Sequence, residues 1–213
     1  MGNKRQIYPG VYVVIDPSMQ KEKLIHKLTD ILDEPIVAVQ IWDHFPAVGN
    51  NQELVAEISS LCHKKDVPVL INNHWDWLLS NDLDGVHFDS VPEDFDLIKR
   101  AVKREFIAGV TCGNDLSVVR WADNNFLDYI SFCSVFPSAT SNSCELVTPE
   151  TIIEAKNITS MPVFLAGGIR PENINELNRL PYEGVAVISG IMNSETPGMA
   201  ARAYISKMKS AHS

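Results

Sequence analysis

The sequence predicts an α/β protein, a single-domain (β/α)8 TIM barrel over residues 11–210 with residues 1–10 as an N-terminal extension. Three observations lead there. Short runs of branched apolar residues recur along the whole chain, as strands buried on both faces require. Each run is followed by a segment with helical apolar spacing, and the last two runs end in glycine. A doubly wound open sheet is the alternative reading of the same alternation. With 213 residues, 45% of them hydrophobic, the chain can bury one substantial core.

Val11–Ile15 reads as the first strand, stopped by Asp16-Pro17, and Lys21 to Leu32 as a helix with apolar positions at Leu24, Ile25, Leu28 and Ile31. Ile36–Ile41 repeats the strand pattern, and Leu54, Val55, Ile58 and Leu61 mark the second helix face. Val67–Ile71 is the third strand, followed by a short helical stretch from Trp75 to Ser80. Gly85–Phe88, a helix containing Phe95, Ile98 and Val102, and Phe106–Val110 continue the alternation. Leu116 to Ala122 reads as helix, Tyr129–Phe132 as strand, and Pro149 to Ala155 as a helix with proline in its opening turn. Strands from Val163 and Gly184 then alternate with helices at Pro171 to Leu180 and Met199 to Met208.

Composition narrows the function. A net charge of −9 without clustered Lys and Arg argues against a nucleic-acid partner. No run approaches the roughly 18 apolar residues of a membrane span, so no membrane partner is expected. Cys62, Cys112, Cys133 and Cys144 show neither C-x-x-C nor zinc spacing. Reduced thiols and a cytoplasmic location are the expectation. Gly167-Gly168 and Ser189-Gly190 close the seventh and eighth strands, where barrel loops present backbone N–H groups to phosphate. The same glycines also suit tight turns with positive φ.

Asp128-Tyr129-Ile130 with Val135-Phe136-Pro137, Gly85-Val86-His87, Leu165-Ala166-Gly167-Gly168-Ile169 and Gly184-Val185-Ala186-Val187, in this order and spacing, resemble the thiamine phosphate synthase and TenI family of (β/α)8 barrels. The resemblance implies a protein of thiamine biosynthesis that handles a thiazole phosphate or thiamine phosphate. The synthase joins a pyrimidine pyrophosphate to a thiazole phosphate with magnesium on the pyrophosphate, whereas TenI-type relatives isomerise the thiazole. It also implies a small phosphorylated ligand on Gly167, Gly168, Ser189 and Gly190, and substrate contacts from Gln40, Trp42, Asn72, Thr111, Ser138 and Thr140. A homo-oligomer is compatible with the sequence.

Against the family pattern the charged positions are replaced. Gln40 is kept, but the arginine and lysine that follow it become Trp42 and His44. The Asn-Asp pair of the third strand becomes Asn72-Asn73, Pro92 stands where a second carboxylate belongs, and Ser141 replaces a lysine. Gly113 occupies the position of the TenI-type histidine. No resident metal is therefore expected, and usual synthase chemistry is in doubt; a slipped register that brought Asp43 or Asp89 to the metal would restore it. A catalytically silent phosphate-binding relative, a sensor or carrier, is the alternative.

Other residues carry ordinary readings. His74 reads as a solvated loop histidine and His87 as a hydrogen-bonded core histidine. Cys112 reads as an inert buried thiol. Trp42 either stacks on a ligand ring or fills the volume of the missing arginine. Asp16 either serves the site or forms a turn before Pro17.

Overall fold

The computed structural model describes residues 4–137 and 145–211. Ser138, Thr140, Ser141 and Cys144 lie outside the described residues. Eight parallel strands close into a barrel in sequence order: β1 (Gly10–Ile15), β2 (Ala38–Ile41), β3 (Val69–Asn72), β4 (Gly85–Phe88), β5 (Ile107–Cys112), β6 (Tyr129–Cys133), β7 (Val163–Ala166) and β8 (Gly184–Val187). Pairing of β1 with β8, from Gly10 opposite Gly184 to Val13 opposite Val187, closes the sheet and rules out the open doubly wound alternative.

Four of the helices begin where a short polar side chain accepts a free backbone N–H. Asn50 accepts from the Glu53 amide at the start of α2 (Asn51–His63), and Asp94 from that of Leu97 at α3 (Phe95–Val102). Asp115 does the same at α4 (Leu116–Asn124), and Thr148 at α5 (Pro149–Ile158), where proline occupies the opening turn. α1 (Lys21–Ile31) buries Leu24, Leu28 and Ile31 on one face, as its spacing predicts.

The segment from Pro171 to Leu180 departs from expectation. It forms one 3-10 turn at Ile174–Leu177 in place of an α-helix. The Asn173 side chain accepts from the Arg170 amide and donates to the Gly168 carbonyl, tying the segment back onto the β7 loop. After β8 the four-residue α6 (Ser189–Met192) precedes the long α7 (Pro197–Ala211).

Side chains alternate along each strand. Val11, Val13 and Ile15 belong to the apolar layer between strands and helices, whereas Tyr12, Val14, Ala38, Leu70, Ile107, Tyr129 and Phe164 fill the barrel interior. The rings of Tyr12, Tyr129 and Phe164 meet edge to face, with centroids 5.9, 5.7 and 5.5 Å apart. Two of them fit because the adjacent strand places a glycine beside the ring, Gly109 beside Tyr129 and Gly184 beside Phe164. A Cβ on Gly109 would lie 2.1 Å from the Tyr129 ring, and one on Gly184 2.3 Å from that of Phe164.

At the opposite end from the site, the residue preceding each of β4, β6 and β8 pins the strand before it. Asp84 accepts from the Val69 amide, Asp128 from Ala108 and Glu183 from Val163, at 2.8, 2.7 and 2.7 Å. Each of these carboxylates also holds a cation: Arg5 at Asp84, Lys4 at Asp128 and Lys156 at Glu183. The N-terminal residues Lys4 and Arg5 are thus part of the barrel's floor.

Replacing Gly109 by alanine forces the Tyr129 ring out of its place, so Gly109→Ala is expected to cost about 1–3 kcal/mol of stability. Urea denaturation measures it, and an unchanged midpoint would contradict the packing described.

Candidate functional site

Functional side chains in this architecture stand at the carboxyl ends of the strands. Here they converge on a line of buried polar groups that crosses the barrel. On β5, the half-buried Thr111 Oγ1 lies 2.9 Å from His87 Nε2 of β4. His87 Nδ1 lies 2.8 Å from the Tyr129 hydroxyl, which is 3.0 Å from that of Tyr12. The Tyr12 hydroxyl donates to Gln40 Oε1 at 2.6 Å, and Gln40 Nε2 donates to Asn72 Oδ1 at 2.6 Å. Asn72 Nδ2 then reaches Asp89 Oδ1 at the rim, at 3.0 Å.

Of the residues expected to meet a substrate, Gln40, Asn72 and Thr111 are brought together in this line. Sequence reasoning missed Tyr12 and Tyr129 as their connectors. The available signal was the two-residue period, which turns Tyr12 inward on β1 as it turns Gln40 inward on β2, with Val14 opposite Gln40.

Asn73, at φ 56° in the left-handed region that asparagine tolerates, holds the rim. Its Nδ2 donates to Asp43 Oδ2 at 2.8 Å and to Asp89 Oδ2 at 2.9 Å, and its Oδ1 accepts from the Asp89 amide at 2.9 Å. Asp43 and Asp89 are thus neighbours, but the space between them belongs to an amide N–H. Among the described residues, no group of three or more His, Cys, Asp or Glu is placed to hold a metal ion. In a slipped register Asp43 and Asp89 would be the two carboxylates near a metal, and here the donor set between them is the Asn73 amide N–H, which does not ligate a cation.

Trp42 follows β2 and stacks on His44, with ring centroids 3.6 Å apart. Phe45 stacks on Trp77 at 4.9 Å, so the β2 loop covers its side of the mouth with aromatic surface. Asp16 accepts from the amide and hydroxyl of Ser18, the turn-forming role. Burial pushes the Cys112 thiol up to about 12, which leaves it inert.

Across the mouth, Gly167 and Gly168 follow β7 with φ 87° and 66°, and Ser189 and Gly190 open α6 after β8. Packing alone already demands these glycines. A Cβ on Gly168 would lie 2.7 Å from the Pro137 carbonyl, and one on Gly190 2.0 Å from the Tyr204 hydroxyl. Arg170, two residues beyond Gly168, is the only lysine or arginine in the loops that follow the eight strands. Sequence reasoning overlooked it, because its position matters only once the strand ends are known.

A family model described as thiamine monophosphate synthase matches residues 11–191. The chain belongs to that family. It is 26% identical over 204 residues to a thiamine-phosphate synthase of Methanobrevibacter smithii, covering 96% of this chain and 97% of that protein. To the enzyme of the same name from Marinobacter nauticus it is 29% identical, with 95% and 92% covered. Among solved structures, a thiamine phosphate pyrophosphorylase from Pyrococcus furiosus superposes with a TM-score of 0.81 at 21% identity, covering 96% and 97% of the two chains. This structural likeness shows the shared fold. Among the described residues no helix is long and apolar enough to cross a membrane.

His87 supplies a pH dependence. Burial pushes it down from 6.5 to about 4, against a weaker opposing pull from Asp89. An unfolded chain takes up the proton near 6.5, whereas the folded one does so only near 4. Above pH 6.5 the ring is neutral in both states and makes no difference to stability. As pH falls from 6.5 through 4, the folded state should lose up to roughly 3 kcal/mol. Urea midpoints measured at pH 7 and pH 4.5 should show this loss in the natural protein and a shallower one in His87→Gln.

Proposed function

We propose that this family member binds a thiazole phosphate or thiamine phosphate at the barrel mouth, with its phosphate at Gly167, Gly168, Ser189 and Gly190, and does not form thiamine phosphate by the magnesium-dependent route. One observation supports the reading: the Asn73 amide donates to both Asp43 and Asp89, the two carboxylates that a slipped register would offer to a metal. A pyrophosphate leaving group needs carboxylates that hold magnesium and cations that meet its oxygens. Here the carboxylates are engaged, Trp42 and His44 stack on each other where two cations stood in the family pattern, and Arg170 is alone at the rim.

The monophosphate end fares differently. Two glycine-bearing loop ends lie after adjacent strands, β7 and β8, the arrangement that barrels of this class use for phosphate. The opening amides of α6 have no acceptor within the helix, and Arg170 can add a charge-assisted contact. Support for a heterocycle beside that phosphate comes from Gln40, which retains one N–H and one lone pair beyond its bonds to Asn72 and Tyr12. The protein then serves to sense or carry such a molecule.

Calorimetry with thiamine phosphate and with inorganic phosphate should show binding that Arg170→Ala weakens about tenfold or more, the cost of losing one charged hydrogen bond. Magnesium should leave pyrophosphate binding unchanged. Purified protein should give no detectable thiamine phosphate from the two synthase substrates, and the gene should not rescue a strain lacking the synthase. Robust rescue would make it an enzyme with a different pyrophosphate site.

A further inference from the structure

We infer that Asp89 is the positioning residue of the barrel interior: from the rim it imposes a single donor direction on the buried side-chain line and so holds His87 as the Nδ1–H tautomer. The inference goes beyond the proposed function and holds whichever ligand the mouth takes.

A carboxylate can only accept, so Asn72 must turn its Nδ2 towards Asp89 and its Oδ1 towards Gln40. Gln40 must then donate through Nε2, which leaves Oε1 facing Tyr12. Tyr12 spends its one proton on Gln40 and can only accept from Tyr129. Tyr129 spends its proton on Tyr12 and can only accept from Nδ1–H of His87. The ring is neutral because burial disfavours its charge, so Nε2 carries a lone pair and accepts from Thr111.

Every link in this line except one is reversible. Two hydroxyls, a hydroxyl and a ring nitrogen, or two amides can exchange donor and acceptor by rotation, flip or tautomer change. The link from Asn72 to Asp89 cannot, since its reversal would set a carbonyl oxygen against a carboxylate oxygen. Asp89 is itself held, because Asn73 donates to its second oxygen and accepts from its amide. Asn73 has no freedom to flip either, as Nδ2 also serves Asp43. At the far end, Thr111 has spent its proton inward and offers the mouth only lone pairs. A ligand group lying over β5 must therefore be a donor.

Nitrogen-15 NMR of the full chain labelled at histidine tests this, with the His87 signals identified by their loss in His87→Gln. At pH 7.5 the natural protein should show His87 protonated on Nδ1 and bare on Nε2. Asp89→Asn can donate to Asn72, which makes the reversed line equally complete, so the tautomer ratio should move towards Nε2–H by about tenfold or more. Asn72→Leu, which cuts the line short of Asp89, gives a second variant with the same expectation should Asp89→Asn fail to fold. Thr111→Val should leave Nδ1–H in place, because control lies at the other end. A natural protein protonated on Nε2, an unshifted ratio in Asp89→Asn or Asn72→Leu, or loss of Nδ1–H in Thr111→Val would each overturn the inference. A residue that only braced the fold would leave the tautomer alone in all of them.

Discussion

Two tyrosine hydroxyls buried in the middle of a barrel are the constraint from which much of this site follows. Tyr12 and Tyr129 supply the aromatic volume that fills the interior, and with Phe164 they leave no room for side chains at Gly109 and Gly184. Their hydroxyls are out of reach of water, and an unpaired buried hydroxyl costs more than the hydrogen bond it would make is worth. Each hydroxyl therefore needs a partner that is itself paired, which brings in His87 and Thr111 on one side and Gln40 and Asn72 on the other. The sequence of obligations ends only at Asp89, where the side chains reach the rim.

The same line runs into the carboxylates at the mouth. In a metal site, carboxylates point their lone pairs at a common centre. Here Asp43 and Asp89 point theirs at the Asn73 amide, and Asp89 also anchors Asn72. Both carboxylates accept from side-chain amides, and the aromatic stack of Trp42 on His44 covers the neighbouring strand end. Loops after β7 and β8 sit across the barrel and depend on other contacts, those of Asn173 and Tyr204.

Much of the fold was legible because its elements are set by local pattern. Branched apolar runs and helical spacing act over a few residues, so strands and most helices fall where the sequence reads them. The helix expected from Pro171 was the exception. Its outcome turns on the reach of Asn173 back to Gly168, a contact between loop and strand end that propensity does not report. The site was legible by residue type at Gln40, Asn72 and Thr111 and illegible by connection, since their partners come from β1, β4 and β6.

By itself the sequence determined an eight-stranded α/β alternation and membership of a family through five motifs in register. Tertiary structure decided how the residues at the mouth are connected. Whether Asp43 and Asp89 face a metal or an amide depends on the left-handed backbone at Asn73 and on the placing of three strand ends side by side. Whether His87 is a base or a link depends on how deeply the barrel buries it and on which hydroxyls stand 2.8 and 2.9 Å away. Hydrogen-bond direction and burial are properties of neighbours in space, and closing the barrel is what makes distant residues neighbours.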